Sequence, residues 1–293
     1  EPSISTTSAP DALQVSGGKT APVTCYIRTL NEERRIGEVI RAARQVVDEV
    51  VLVDCGSTDK TLEIAAAEGA KVVKQAWLGN GAQKRVGEDA AKHDWLLDLD
   101  ADEIVTPELA EAIGAVFESG PTASIYEVPL VTVPPIGKPW KNFKIAWRRK
   151  LYNRTTVRIP DSKVWDQFDV PAGERVRRIN KPLLHYSFAN IEHVVTKMNK
   201  VSSTRARESK LKSFRGTVLR VWFGFPSYFI KEYFFRGLIR GGTYGFAFAM
   251  TMSFARWMRD VKMYERHMLM RRETSSSRRR SRICRRGSGH GRN

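Results

Sequence analysis

Residues 96–105, LLDLDADEIV, set Asp98, Asp100, Asp102 and Glu103 against an apolar run. They do so in a chain whose 49 Lys and Arg outnumber its 32 Asp and Glu. An isolated charge run of this kind is most often a solvated turn. A calcium loop of the EF-hand type is met at its first, third and fifth positions by Asp98, Asp100 and Asp102. It fails at the sixth and twelfth, where Glu103 and Leu109 replace the required Gly and Glu. A glycosidase pair needs two carboxyls several ångströms apart across a sugar, which neighbouring loop acids do not supply unaided. The remaining chemistry is Asp100-Ala101-Asp102 at the end of a buried strand, sharing Mg²⁺ or Mn²⁺ whose other positions go to phosphate oxygens and water.

The elements that must position these acids alternate. Residues 21–30 form an apolar, β-branched run, and Ile36, Val39, Ile40, Ala43, Val46 and Val47 then mark one helical face. Residues 49–54 read as a second buried strand, with Ser57, Thr58 or Asp59 available to cap a helix over 60–69. A strand at 70–75, a helix at 82–92 and a strand at 94–99 follow. Such alternation predicts an α/β fold with a mostly parallel sheet and ligands at the carboxyl ends of its strands. After a short helix from Pro107, the stretches 128–135 and 144–154 suggest added strands at a sheet edge. From Ile191 to Glu265 the pattern is helical, basic and rich in aromatics. The expected organisation is a flexible segment (1–20), a main α/β domain (21–190), a basic amphipathic helical extension (191–265) and a disordered Arg/Ser-rich tail (266–293).

Charge and cysteine usage narrow the classes. Of the net charge of +17, the last 23 residues, with nine arginines and one glutamate, carry +8, which favours anionic partners. No aromatic interrupts that tail, so specific nucleic-acid binding is not expected, although a binding module using it is the alternative of a different class. Three cysteines without a CxxC pair argue against a disulfide framework or zinc knuckle and fit a reducing compartment. The acidic, polar start lacks the pattern of a signal peptide. The longest uncharged run, Gly241 to Ala255, is 15 residues, short of the roughly 20 that span a bilayer. Residues 16–20, SGGKT, approximate a P-loop with Leu13 in place of its first Gly, and residues 79–84, GNGAQK, put Lys84 where a dinucleotide fingerprint needs its third Gly.

Four segments in order, TLNEE (29–33), VLVDCGSTDKT (51–61), GNGAQKR (79–85) and LDLDADE (97–103), resemble the glycosyltransferase family 2 pattern with its GT-A fold. Within it, RRKLYNR and LLHYSFANIEHVVTKMNK make the chain similar to the lipopolysaccharide core transferases that add a β-linked glucose to an inner-core heptose. The resemblance implies a UDP-sugar donor, Mg²⁺ or Mn²⁺, inversion at the anomeric carbon, and a lipid-linked saccharide acceptor met at an anionic membrane surface. It implies a cytoplasmic enzyme, peripheral on the inner face of the membrane. Transfer to a polyprenyl-phosphate or exopolysaccharide acceptor is the alternative.

The same resemblance assigns roles. Asn31 and Glu32 lie where such enzymes contact the nucleotide, Asp54 matches the residue expected on the uracil, and Asp59 is a second donor-site candidate that could equally cap its helix. Lys84 and Arg85 fall near the expected diphosphate, Asp100 and Asp102 at the metal, and His185 where it completes the metal shell or contacts the diphosphate. An inverting transferase needs a base for the acceptor hydroxyl. The relatives carry a His-Glu pair after a Val; here Val164 is followed by Trp165 and Asp166, so Asp166 is the expected base, with Asp161 and Asp169 as rivals. Trp165 could stack on a sugar or pack, and Arg148 and Arg149 could meet acceptor phosphates or lie exposed. The turn RGLIRGGTYG lacks the acid that the relatives have there.

Overall fold

The structure, a computed structural model, describes residues 20–136, 145–211 and 213–287. The expected flexible segment 1–20, apart from Thr20, and the last six residues lie outside the described residues. The chain divides into two compact units, one of Glu1–Val131 and Ile145–His185, the other of Thr132–Lys144 and Tyr186–Asn293.

In the first unit the alternation becomes β1 (Ala21–Thr29), α1 (Ile36–Arg44), β2 (Val47–Asp54), α2 (Thr61–Ala67), β3 (Lys71–Lys74), α3 (Asn80–Ala90) and β4 (Trp95–Asp100). There follow β5 (Glu103–Val105), α4 (Pro107–Glu118), β6 (Ile125–Thr132), β7 (Ile145–Asn153), β8 (Val176–Arg178) and β9 (Leu183–His185). All join one sheet in the order β3-β2-β1-β4-β7-β6-β9-β5, with β8 against β6. Strands β1 to β4 are mutually parallel, as expected for βαβ units, whereas β7 meets β4 and β6 antiparallel, and β5 meets β9 antiparallel.

Strand β1 is apolar nearly throughout because both its faces are covered: Cys25, Tyr26 and Ile27 are fully buried. Tyr26 packs with Val51, Leu96, Ile125, Tyr152, Ile159 and Phe168 in one core cluster. Each such aliphatic side chain contributes about 1.5–3 kcal/mol. Helix α4 starts where Thr106 accepts from the Leu109 amide at 3.2 Å and Pro107 pre-sets the first turn. The two stretches expected at a sheet edge are interior instead, since β7 lies between β4 and β6. Pro129 gave the edge signal, but Val128 and Leu130 beside it are buried, and that burial outweighs one lost ladder donor.

The decisive topological point lies between β1 and β4. The chain builds outward from β1 through β2 and β3, then returns to place β4 on the other side of β1. The carboxyl ends part there, and a crevice at such a switch point is where α/β sheets hold ligands. Registry puts Arg28 of β1 beside Asp100 of β4, and Thr29 beside Asp54 of β2.

The second unit is helical: α5 (Ile191–Glu208), α6 (Phe214–Ile230), a π-helical turn (Lys231–Phe235), a 3-10 turn (Leu238–Gly241) and α7 (Gly242–Gly287). Phe188, Val194, Leu238, Phe248, Ala249 and Met252 form its core. The Asn190 and Ser213 side chains cap α5 and α6, and Arg266 of α7 donates to the Ala206 and Arg207 carbonyls in the last turn of α5. The tract from residue 266 expected to be disordered continues α7 to Gly287, a correction to the sequence reading. Arg is a good helix former, and a helix already nucleated adds one hydrogen bond per further residue. Among the described residues no helix is long and apolar enough to cross a membrane.

Candidate functional site

The acids at the end of β4 each have a basic partner of their own. Lys84 of α3 donates to Asp98 at 2.8 Å, both side chains 0% exposed. Lys150 of β7 donates to Glu103 at 2.6 Å, also buried. Arg28 of β1 reaches Asp100 through Nη2 at 2.9 Å and Nε at 3.2 Å. His185 Nε2 of β9 stands 3.2 Å from Asp102 Oδ2, a consequence of the antiparallel β5–β9 ladder. The buried pairs beneath thus support two partly exposed pairs above, and removal of one buried partner would leave an uncompensated charge.

The electrostatics follow from this layering. Burial alone would raise the Asp100 carboxyl, but Lys84, Lys150 and Arg28 more than reverse that and hold it far below the usual carboxylate range. Burial would lower Lys84 and Lys150, and the surrounding carboxylates reverse that too, so both are pushed up. Glu103, by contrast, is raised by burial despite Lys150. Its carboxylate also accepts from the Asp100 amide at 2.9 Å, so it braces the turn that carries Asp100 and Asp102.

Asp166 joins this cluster from the segment 159–168. Its Oδ2 lies 3.3 Å from Arg28 Nη2 and 3.6 Å from Lys84 Nζ, whereas Asp161 and Asp169 are exposed. Phe168, buried against Tyr152, anchors the segment two residues on, and Arg149 donates to the Phe168 carbonyl rather than standing free for an acceptor. The segment also closes over the start of α3. The Asn80 and Gly81 amides donate to the Lys163 and Ser162 carbonyls at 3.1 and 2.9 Å, and the Asn80 side chain donates to the Val164 carbonyl at 3.0 Å. This explains the glycines of GNGAQKR: a Cβ at Gly79, whose φ is 126°, would fall 2.4 Å from Lys163 Cα, and one at Gly81 would fall 2.2 Å from the Pro160 carbonyl oxygen. Arg85, expected near a diphosphate, donates instead to the Ile159 carbonyl at 2.8 Å and secures the same segment. Lys84, expected beside it, is buried under Asp100.

The other expected residues form a rim. Five hydrogen bonds of 3.1 Å or less join the loops after β1 and β2. Asn31 N donates to Ser57 Oγ (2.9 Å), Thr58 N to Asn31 Oδ1 (2.9 Å), Glu32 N to Thr61 Oγ1 (2.8 Å), Glu33 N to Asp59 Oδ2 (3.1 Å) and Lys60 N to Glu33 Oε2 (3.0 Å). Asn31 takes a left-handed φ of 56° to do so. Asp59 also accepts from Thr61 N at 3.0 Å and from the Thr61 hydroxyl, a local turn just ahead of α2; desolvation would raise its carboxyl, but these hydrogen bonds together with that from Glu33 N outweigh it and lower it. Asp54, 2% exposed, accepts from Gly56 N (2.8 Å), Ser57 N (2.9 Å) and Ser57 Oγ (2.5 Å). Three of its roughly four acceptor positions are used in its own loop.

The three residues expected to hold a metal are not gathered as one set. Asp100 turns to Arg28 while Asp102 turns to His185, and among the described residues no three His, Cys, Asp or Glu side chains converge for a cation. Asp102 and His185 alone offer one oxygen and one nitrogen donor, each partly exposed. That set fits a Mg²⁺ or Mn²⁺ ion that takes its remaining positions from substrate phosphate and water. Arg28 and Lys150 were missed by sequence reasoning. The available signal was a basic residue inside each of two strand-like runs, Arg28 in CYIRTL and Lys150 in RRKLYNR.

The acids and their basic partners gather at the β1/β4 switch point, the place where an α/β enzyme holds its ligand. Residues 24–180 match the glycosyl transferase family 2 profile, and the chain belongs to that family of glycosyltransferases. An uncharacterized glycosyltransferase of Rickettsia felis is 33% identical over 259 residues, covering 83% of this chain and 89% of that one. The lipopolysaccharide core biosynthesis glycosyltransferase LpsC of Rhizobium meliloti is 28% identical over 261 residues, covering 86% and 95%. Among solved structures, glucosyl-3-phosphoglycerate synthase from Mycobacterium tuberculosis, with Mn²⁺, uridine diphosphate and glucosyl-3-phosphoglycerate, is 26% identical with a TM-score of 0.33. That match covers 38% of this chain and 44% of the synthase, so less than half of the synthase is spanned.

Proposed function

We propose that the chain is an inverting, divalent-cation-dependent hexosyltransferase that moves glucose from UDP to a lipid-linked saccharide of the lipopolysaccharide core. The observation that carries this reading is the placement of Asp100 and Asp166 about the shared bases Arg28 and Lys84 at the carboxyl ends of β1 and β4, with the Asp102–His185 pair on the turn that follows β4. Asp102 and His185 would hold Mg²⁺ or Mn²⁺, which when bound offsets the charge developing on the leaving diphosphate. Asn31, Glu32, Asp54 and Asp59 order the rim on the nucleotide side. Asp166 takes the proton from the acceptor hydroxyl as that oxygen bonds to the anomeric carbon, and UDP leaves from the opposite face with the bonding electron pair. Arg28 positions both Asp100 and Asp166. Trp165, 72% exposed beside Asp166, offers a ring face to the acceptor sugar.

The lipid-linked acceptor is supported by the second unit. Leu219, Trp222 and Phe223 recur on one face of α6 and are exposed, with Phe234 and Phe235 following, and Arg215, Lys231 and Arg240 interleave with them. Such a face suits the headgroup region of an anionic bilayer, on which the enzyme would act from the cytoplasm as a peripheral protein.

Calorimetric titration with UDP, with and without Mn²⁺, on the wild type and Asp102→Ala tests the donor assignment. Mn²⁺ should tighten UDP binding about tenfold or more in the wild type and leave the variant unchanged. A folded wild-type protein that binds no UDP under any metal condition refutes the reading.

A further inference from the structure

The helical unit contains a cavity of about 370 Å³ between α5, the π-helical turn and α7. Four arginines line it: Arg205, Arg236, Arg256 and Arg259. Its one acidic lining residue, Glu232, is already committed, since Arg236 Nη1 donates to both its oxygens at 3.0 and 3.1 Å. Asp260, buried beside the cavity, takes Arg259 Nη2 at 3.2 Å and the Tyr228 hydroxyl at 2.6 Å. Neither Arg205 nor Arg256 has a carboxylate partner among the described residues, and Arg256 instead lies over the Tyr228 ring at 4.4 Å. The Nε–H groups of Arg256 and Arg259 are buried with no acceptor among the described residues.

Two carboxylates against four guanidinium groups leave an excess of positive charge in a walled space. An orphaned buried donor is costly, and a guanidinium with its Nε–H free presents the fork geometry that fits phosphate oxygens. Met198, Val201 and Met252 supply apolar wall to the same cavity. We propose that this cavity binds a phosphate or diphosphate group, with a short uncharged part of the same molecule against the methionines. The site stands apart from the donor reading: its residues all belong to the helical unit.

The test is calorimetric titration of the full chain with inorganic pyrophosphate in metal-free buffer at low salt. The variants are Arg205→Gln, Arg256→Gln and, as a surface control outside the cavity, Arg175→Gln. Saturable binding should weaken about tenfold in each cavity variant and stay unchanged in the control. Arg205 is exposed at the end of α5, so its variant decides the matter if Arg256→Gln melts early, and Arg256→Lys should restore part of the affinity. Sedimentation with vesicles of phosphatidylglycerol in phosphatidylcholine then separates the sources. A parallel loss of vesicle affinity in the cavity variants assigns the phosphate to a lipid headgroup, and unchanged vesicle affinity assigns it to a soluble phosphate ester. No saturable pyrophosphate binding, or binding that the cavity variants retain in full, overturns the proposal. Loss of UDP binding elsewhere has no bearing on either outcome.

Discussion

Replacing Gly81 by Ala adds one methyl group at the tightest contact of the site. Its Cβ would stand 2.2 Å from the Pro160 carbonyl oxygen and 2.3 Å from that of Trp165. An ordinary contact is about 3.4 Å, so the 160–166 segment must withdraw by about 1 Å. That withdrawal stretches the hydrogen bonds from Asn80, Gly81 and Ala82 to the Ser162 and Lys163 carbonyls, now 2.9 to 3.2 Å. With water replacing part of them, the stability cost is about 1–3 kcal/mol. Asp166 rides on the same segment, and a reacting group displaced by about 1 Å costs on the order of a hundredfold in rate. Asn31 and Asp59 are held by the hydrogen bonds between their own two loops. The expected signature is therefore a kcat about a hundredfold lower with UDP affinity within about twofold of wild type, measured as sugar transfer and calorimetry beside urea unfolding. Gly114 is the control: no atom lies within 4 Å of its added Cβ in α4, so Gly114→Ala should leave kcat alone and stabilise by up to about 1 kcal/mol. A Gly81→Ala enzyme that turns over at the wild-type rate refutes the argument that this close approach positions Asp166.

Alkaline pH should destabilise the fold steeply. Burial pushes the Cys25 thiol and the Tyr26 and Tyr152 phenols up, and carboxylate neighbours push Lys84 and Lys150 up against their burial. The folded chain therefore keeps protons that the unfolded chain releases, so this stability is complete below about pH 8.5 and falls as pH rises through and above the unfolded values. Each group adds up to about 1.4 kcal/mol per pH unit. Urea unfolding across that range, with tyrosinate absorbance tracking unfolding rather than preceding it, is the check, and a flat stability profile to pH 10.5 contradicts it. On the helical unit, Trp222 and Phe235 are 74% and 83% exposed. Changing both to Ser should weaken sedimentation with anionic vesicles about a hundredfold, while added salt weakens the wild type as well; vesicle binding equal to wild type would remove the membrane-facing role.

The parallel half of the fold was legible because strands buried on both faces are written as apolar runs, and β1, β2 and β4 needed no tertiary information. Strand β9 showed only as an apolar, strand-like run before His185 and β5 not at all, since three residues carry no period; the two pair with Glu103 opposite His185. The acidic run pointed to the carboxyl end of β4, yet the partners of its acids lie up to 83 residues away in sequence, His185 from Asp102 being the farthest. That is why Arg28 and Lys150 escaped notice and why Arg85 was given a phosphate instead of the Ile159 carbonyl. Asp166 was proposed by matching chemistry to a pattern, whereas the glycines that let its segment approach α3 were read as a broken dinucleotide fingerprint. The Arg-rich end of α7 was misjudged on composition, because low complexity says nothing of helix propagation from an anchored start.

The five hydrogen bonds between the loops after β1 and β2 make those loops one mechanical body. Fixing a residue's backbone costs about 1–2 kcal/mol of entropy, and for Asn31 to Glu33 and Ser57 to Thr61 that cost falls on folding, before any ligand arrives. A molecule docking at this rim meets a preset surface, so its arrival is governed by diffusion and charge rather than by waiting for a loop to close. A lesion at Thr58 or Ser57 reaches across the crevice to the first loop as directly as one at Asn31 itself.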